Sequence, residues 1–499
     1  MKPRLRTLAD LHIPWMREYG GRHEYDGVIQ DLSPQGVASA LAALPQGVMP
    51  AQTYDEALLR THEHAAHVYY GEIGMHRRNP LDHLLNLDLS CYARHYAPEA
   101  ERAAARKAHL RQWPEACDAA ITALDALSAP VAQALLGSFE GLTAGLHPDD
   151  AADAKALAAH ERLMKHLRHS ARHGEPSGHL GTGTLATLVG ASEALDIDLS
   201  ALEAKAAIER ARMQALLEQS CEQYRPGEPI ATVVNALNKD HPNAQDVLTQ
   251  AQELTKAVLE WTKHSGLVPY ADGKCLVEQA PAARRTGAAM ISWAAPDEDD
   301  AAAIFFITPP ENTWPVTEQE QWLEQFSATT LPVICVHEVA PGHFSHSRAL
   351  RRATSPERRL LPGHVFIEGW AHYAEELALE EGFGSHDPRF GIGVALEALL
   401  RITRLRCAIG VHSGALSHDA AQSMFMHDAY LSRAAATSET HRAVFDPTYG
   451  RYTMGKIAIR ELRARAQTRW GDTFSLARFH HALLELGSPP LGLMDTILD

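Results

Sequence analysis

The segment His337-Glu338-Val339-Ala340-Pro341-Gly342-His343, with Glu368 further along the chain, holds the residue types that metal-assisted hydrolysis needs. Two imidazoles and a later carboxylate can hold one Zn²⁺ while leaving a position open for water, and the carboxylate beside the first histidine can take that water's proton. The expectation is a metal-dependent hydrolase with His337, His343 and Glu368 as ligands, Glu338 as general base and a single Zn²⁺ as cofactor. Mn²⁺ or Co²⁺ would suit the same donors.

The spacing constrains the elements that carry these groups. Zinc-binding helices commonly present two histidines four residues apart on one face. Here the separation is six. On an unbroken helix, six steps of roughly 100° would turn His343 about 120° away from His337. The helix must break between them, and Pro341 and Gly342 suit a break: proline lacks the N–H and glycine accepts backbone angles closed to other residues. Glu368 then needs a second, returning helix, for which Val365 to Glu375 has the composition. A carboxylate facing so apolar a stretch needs a partner, and a dication is a good one. The plainer alternative is a helix ending in Pro-Gly with incidental histidines, in a chain that holds 29 of them.

The pattern His337-Glu338-x-x-Pro341-Gly342-His343, then Glu368-Gly369-Trp370-Ala371-x-Tyr373-Ala374-Glu375, resembles the DUF885 family of predicted metallopeptidases, itself similar to the helical gluzincin peptidases. Gly178 to Thr182, Arg225 to Gly227, Asp240 to Pro242, Val411 to Gly414 and Arg451 to Lys456 extend the likeness over most of the chain after about residue 160. The resemblance implies a mainly α, gluzincin-like fold with a small β-hairpin or sheet beside the zinc helix, and the same ligands and base. It also implies Tyr452 as a donor to a developing oxyanion, against a plain packing role at a helix start. His412 is implied as a second catalytic group, against a structural one. Two positions depart from the family. His372 stands where an apolar residue is usual and could contact substrate, relay a proton or orient Glu368. Ala408 stands where an acidic residue is frequent, which leaves His412 without a carboxylate to fix its tautomer.

Gly287 to Trp293 and Ala303 to Thr308 read as two strands joined by a turn. Such a hairpin offers either an edge for an extended peptide, with Phe306 as a substrate contact, or a cap on a helical core. Removal of C-terminal residues would need a cation for the substrate carboxylate; Lys456, Arg460 or Arg463 could supply it, and Arg463 is expected to bind the substrate. The expected substrate is a short peptide. A zinc amidohydrolase acting on a small-molecule amide is the alternative, and a non-catalytic binding protein a third, against which the intact Glu338 argues. No Gly-x-Ser-x-Gly elbow suggests a serine hydrolase.

The chain has 499 residues, 45% hydrophobic and 22% charged, which is ordinary globular composition. A net charge of −16 excludes a nucleic-acid partner on electrostatic grounds. No run approaches the ~20 apolar residues of a spanning helix, so no membrane partner is expected. Without an apolar stretch behind its basic start, the protein is expected to be cytoplasmic, with a homodimer as an open possibility. Six cysteines form no Cys-x-x-Cys pair, so no thiolate site is indicated. Amphipathic helices are expected over Pro98 to Leu127, Asp149 to His173, Ser200 to Gln223 and Asn243 to Lys263, with a loop region from Lys263 to Arg285. Regions 1–175, 176–285 and 286–499 are expected to form one compact unit whose N-terminal helices wall a cleft over the metal. The histidine groups 62, 64, 67 and 166, 169, 173 read as solvated helix faces.

Overall fold

The computed structural model describes residues 1–45 and 51–498. Helices dominate, and the only sheet among the described residues has three strands, which gives the mainly α fold with a small sheet that was expected. Three of the expected long helices appear as Ala151–His173, Leu199–Tyr224 and Asp246–Ser265. The first two are capped by Asp150 and Asp198, whose side chains accept from backbone N–H groups of the first turn. The stretch from Pro98 instead splits into Glu99–Leu110 and Trp113–Ala123. Pro114 explains the split: with no N–H to donate, it is tolerated in the first turn of a new helix but not inside an old one.

Strands β1 (Cys275–Gln279), β2 (Ala289–Ser292) and β3 (Ala303–Ile307) lie in the order β1-β3-β2, with β3 parallel to β1 and antiparallel to β2. The expected hairpin corresponds to β2 and β3. Strand β1 falls where a loop was expected. Only Val277 of its five residues is buried, so this edge strand carries little apolar pattern. The central strand β3 is buried on both faces. Ala303, Phe305 and Ile307 join the largest core, while Ile304 and Phe306 pack with Ala280 and Met290 on the opposite side.

Six helices build the candidate site: α1 (Leu331–Glu338), α2 (His343–Leu350), α3 (His364–Glu380), α4 (Arg389–Ser413), α5 (Arg433–Phe445) and α6 (Arg451–Trp470). Helix α1 shares the large core with β3 through Leu331, Val333 and Val336, each fully buried and each contributing roughly 1.5–3 kcal/mol. Helices α3 and α6 cross where glycine faces glycine. A Cβ on Gly369 would collide with the Cα of Gly455, so this approach admits no larger residue. It brings Glu368 and Tyr452, from distant parts of the chain, to one place.

The N-terminal helices are tied to the rest by buried ion pairs. Glu18 takes both ends of the Arg284 guanidinium at 2.6 Å, and Arg94 pairs with Glu298. Asn79 donates to the carbonyl of Phe445.

Candidate metal centre

Helix α1 ends at Glu338 and α2 begins at His343, so the chain breaks where Pro341 and Gly342 stand. The Ala340–Pro341 peptide is cis. A Cβ on Gly342 would collide with the carbonyl oxygens of Val336 and His337, which reserves the position for glycine. The fully buried Trp370 indole N–H on α3 donates to the Pro341 carbonyl at 2.9 Å and pins the turn against the helix that carries Glu368.

The break gathers His337, His343 and Glu368, whose nearest donor atoms all lie within 4.8 Å of one another. Glu368 Oε2 is 3.5 Å from His337 Nε2 and 3.2 Å from His343 Nε2. Ligands on a tetrahedral Zn²⁺ with bonds of about 2.0–2.1 Å stand about 3.3 Å apart. Glu368 Oε2 is nonetheless buried without a hydrogen bond, so the three atoms converge on a shared point and do not satisfy one another. The donor set and its spacing therefore fit a zinc ion. Among the described residues no other three His, Cys, Asp or Glu groups meet in this way, the histidines at 62–67 and 166–173 included.

A second layer of charge holds the first. Glu375 Oε1 lies 2.6 Å from His337 Nδ1 and 3.0 Å from Arg401 Nη2, while its Oε2 lies 3.0 Å from His372 Nδ1. A carboxylate on Nδ1 fixes the His337 tautomer and leaves Nε2 as the free lone pair. Arg401 is itself held by Glu397 at 2.6 Å. Burial pushes the Glu375 carboxyl up, but Arg401 and His372 more than reverse this and hold it well below the usual carboxylate range. Burial likewise raises Glu368, and the two imidazoles beside it bring it well below. For His337, burial and Arg401 push downward while Glu368 and Glu375 push upward and win, to about 9. Unlike Glu368 and Glu375, Glu338 is raised, by burial that the two nearby histidines do not offset.

His337 and Glu338 face a cavity of about 90 Å³ whose wall also includes Arg401, Arg404, Arg442 and Tyr452. The Tyr452 ring stacks on His337 at 5.9 Å, and its hydroxyl accepts from Arg442 Nη2 at 3.0 Å, which leaves the phenolic proton free to be donated.

A model of the family described as "Bacterial protein of unknown function (DUF885)" matches residues 14–498. The chain belongs to the DUF885 family. Two solved structures share the fold of this DUF885 protein. One is described as a "putative lipoprotein of unknown function" from Shewanella oneidensis, at TM-score 0.76 and 19% identity over 99% of this chain and 97% of the other. The other is described as a "putative lipoprotein" from Colwellia psychrerythraea, at TM-score 0.78 and 15% identity over 100% and 96%. No curated protein matches. The expectation of a cytoplasmic location is overturned by these neighbours, since both proteins of this fold are described as lipoproteins. Among the described residues no helix is long and apolar enough to cross a membrane.

Four expected site residues lie away from the centre of the DUF885 protein. His412 lies 11 residues along α4 from Arg401, about 16 Å by helix rise. It lines a separate cavity of about 530 Å³ and its Nε2–H donates to the Ala443 carbonyl at 2.9 Å, so a backbone carbonyl fixes the tautomer that Ala408 cannot. His372 is fully buried and braces Glu375, not Glu368, and it does not line the site cavity. Phe306 lies on the face of β3 turned away from the core that α1 shares with the sheet. Arg463 is held by Glu380 at 2.7 Å, and Lys456 and Arg460 both pair with Glu376, so none of the three expected cations reaches the cavity. The arginines that do reach it come from α4 and α5 and have no signal in the local sequence. Glu375 has one: it follows Glu368 by seven residues, two turns on the same face of α3.

Proposed function

We propose that this protein is a zinc-dependent hydrolase that cleaves amide bonds in short peptides. The observation that carries the reading is the convergence of His337 Nε2, His343 Nε2 and Glu368 Oε2, with the buried carboxylate of Glu338 facing the same cavity as His337. When bound, the metal would supply a Lewis acid and lower the pKa of water toward about 7. The remaining chemistry belongs to the chain. Glu338 has the upward-shifted carboxyl of a group that accepts a proton and gives it back, here from water to the leaving amine. Tyr452, oriented by Arg442, offers its O–H to the carbonyl oxygen as charge develops there. Glu375 with Arg401 and His372 keeps the His337 ring in register.

A second reading, hydrolysis of a small-molecule amide, draws on the cavity size. About 90 Å³ is far below the ~300–1,000 Å³ of pockets that enclose a drug-sized ligand. Metal content of wild type and Glu338→Gln, with mass-spectrometric turnover of a library of short peptides and acyl amides, tests both. One zinc in each protein with turnover in wild type alone supports hydrolysis, and the substrate that reacts separates peptide from amide. Wild type that retains no zinc refutes both.

A further inference from the structure

The cavity that Glu338 faces also receives three guanidinium groups, and two of them are not fully used. Arg401 is committed to Glu397 and Glu375. Arg404 grips Glu439 through Nε and Nη2 at 2.8 and 2.6 Å. Arg442 gives Nε and Nη2 to Asp446 at 3.3 and 3.2 Å, and Nη2 also to the Tyr452 hydroxyl. Neither Arg404 Nη1 nor Arg442 Nη1 has a hydrogen-bond partner among the described residues. Both guanidiniums sit over the ring of Tyr452, at 5.1 and 5.7 Å from its centroid, and that ring is the one stacked on His337. Two open NH₂ groups, on cations held by the buried Glu439 and the half-buried Asp446, thus lie one aromatic ring from a proposed metal ligand.

The sheet supplies a direction. Strand β2 is an edge, and Ala288 and Ala289 at its N-terminal end line the cavity. A Cβ built on Gly287 would lie 3.7 Å from Arg442 Nη1, which places that nitrogen at the same end of the strand. An extended peptide added antiparallel to this edge would run with its C-terminus toward Gly287 and Arg442. The cavity at this end is small, about 90 Å³, which suits a chain that stops there.

Resting on the hydrolase reading above, we propose that Arg404 and Arg442 form a cradle for the substrate's C-terminal carboxylate, so that the enzyme acts on peptides or N-acyl amino acids with a free carboxyl end and releases the last residue. Planar guanidinium nitrogens are the donors best matched to a carboxylate. The step balances as an ordinary hydrolysis: water oxygen bonds to the carbonyl carbon of the last amide, the C–N bond breaks, and the proton held by Glu338 passes to the departing amine. The products are a shortened acid and a free amino acid.

The test uses the zinc-loaded full chain and N-acetylated tripeptides ending in a free acid or an amide, with products read by mass spectrometry. The expected kcat/KM favours the acid by about 100-fold, because a site built for a carboxylate rejects the analogue that lacks it. Arg404→Lys keeps a cation against Glu439 but loses the fork, and should cut the acid-to-amide ratio about tenfold, chiefly through KM. A second arm removes zinc and measures calorimetric binding of N-acetylalanine against N-acetylalaninamide, with tighter binding of the acid expected. Equal cleavage of both peptides, cleavage at internal bonds, or equal binding of acid and amide overturns the cradle and leaves hydrolysis standing. Preference for the acid in zinc-free binding, with neither peptide cut, supports the cradle and refutes hydrolysis.

Discussion

Replacing Glu375 by glutamine should weaken zinc binding without unfolding the protein. Glu375 makes three close contacts, with His337 Nδ1 at 2.6 Å, Arg401 Nη2 at 3.0 Å and His372 Nδ1 at 3.0 Å. Glutamine keeps the shape and removes the charge. Its oxygen can still accept from His337, and its NH₂ then faces His372, whose Nε2 has no partner and can take the ring proton so that Nδ1 accepts. The fold is therefore preserved while the charge-assisted bond to His337 is lost. A hydrogen bond to a charged group is worth about 1.5–3 kcal/mol and a neutral one about 0.5–1.5, so about 1–1.5 kcal/mol is lost. At 1.4 kcal/mol per decade, that is a loss of about 5–10-fold in zinc affinity, the low end of what outer carboxylates on ligating histidines show in general. The assay is competition for zinc against a chelator of known affinity, with thermal melting of the zinc-free proteins as the control for folding. Zinc affinity within twofold of wild type, in a variant that melts normally, would refute the idea that Glu375 tunes His337.

Glu338→Gln should keep its zinc by elemental analysis and lose about 10²–10⁴-fold in kcat, and a variant of undiminished rate would exclude Glu338 as the base. Chelation should lower the melting temperature, and zinc at a hundredfold excess over its Kd should restore about 2.7 kcal/mol of stability; a melt indifferent to zinc would refute the site. Gly369→Ala inserts a methyl group where α3 meets Gly455 on α6, and should cost about 1–3 kcal/mol in urea unfolding. Glu193 accepts the Leu491 N–H and is 1% exposed, and burial raises its carboxyl to about 7 from 4.5. Between these values the folded protein keeps a proton that the unfolded chain has lost, so stability should fall as pH rises from about 4.5 to 7 and then level off. The total is on the order of 3 kcal/mol, and Glu193→Gln should flatten that part of the curve of stability against pH.

The parts of the fold and site that can be read from sequence are those set by neighbours along the chain. The helix break at Pro341-Gly342 follows from two backbone preferences and the sixfold spacing, and both histidines end up where that break must put them. The long helices carry their own periodicity, and the one that divides does so at a proline in plain view. Strand β1 was missed because four of its five positions are not buried, and an edge with so little apolar content has no period to find. Choice of cation failed for a related reason. Lys456, Arg460 and Arg463 stand near Tyr452 in sequence, but a helix spreads them over its faces, where Glu376 and Glu380 take them up. The arginines at the cavity come from α4 and α5, and only the packing of α5 on α4 and of α4 on α6 brings them to Tyr452. Spacing can locate a ligand and its brace on one helix, as with Glu368 and Glu375, whereas the groups that choose a substrate arrive from several helices at once.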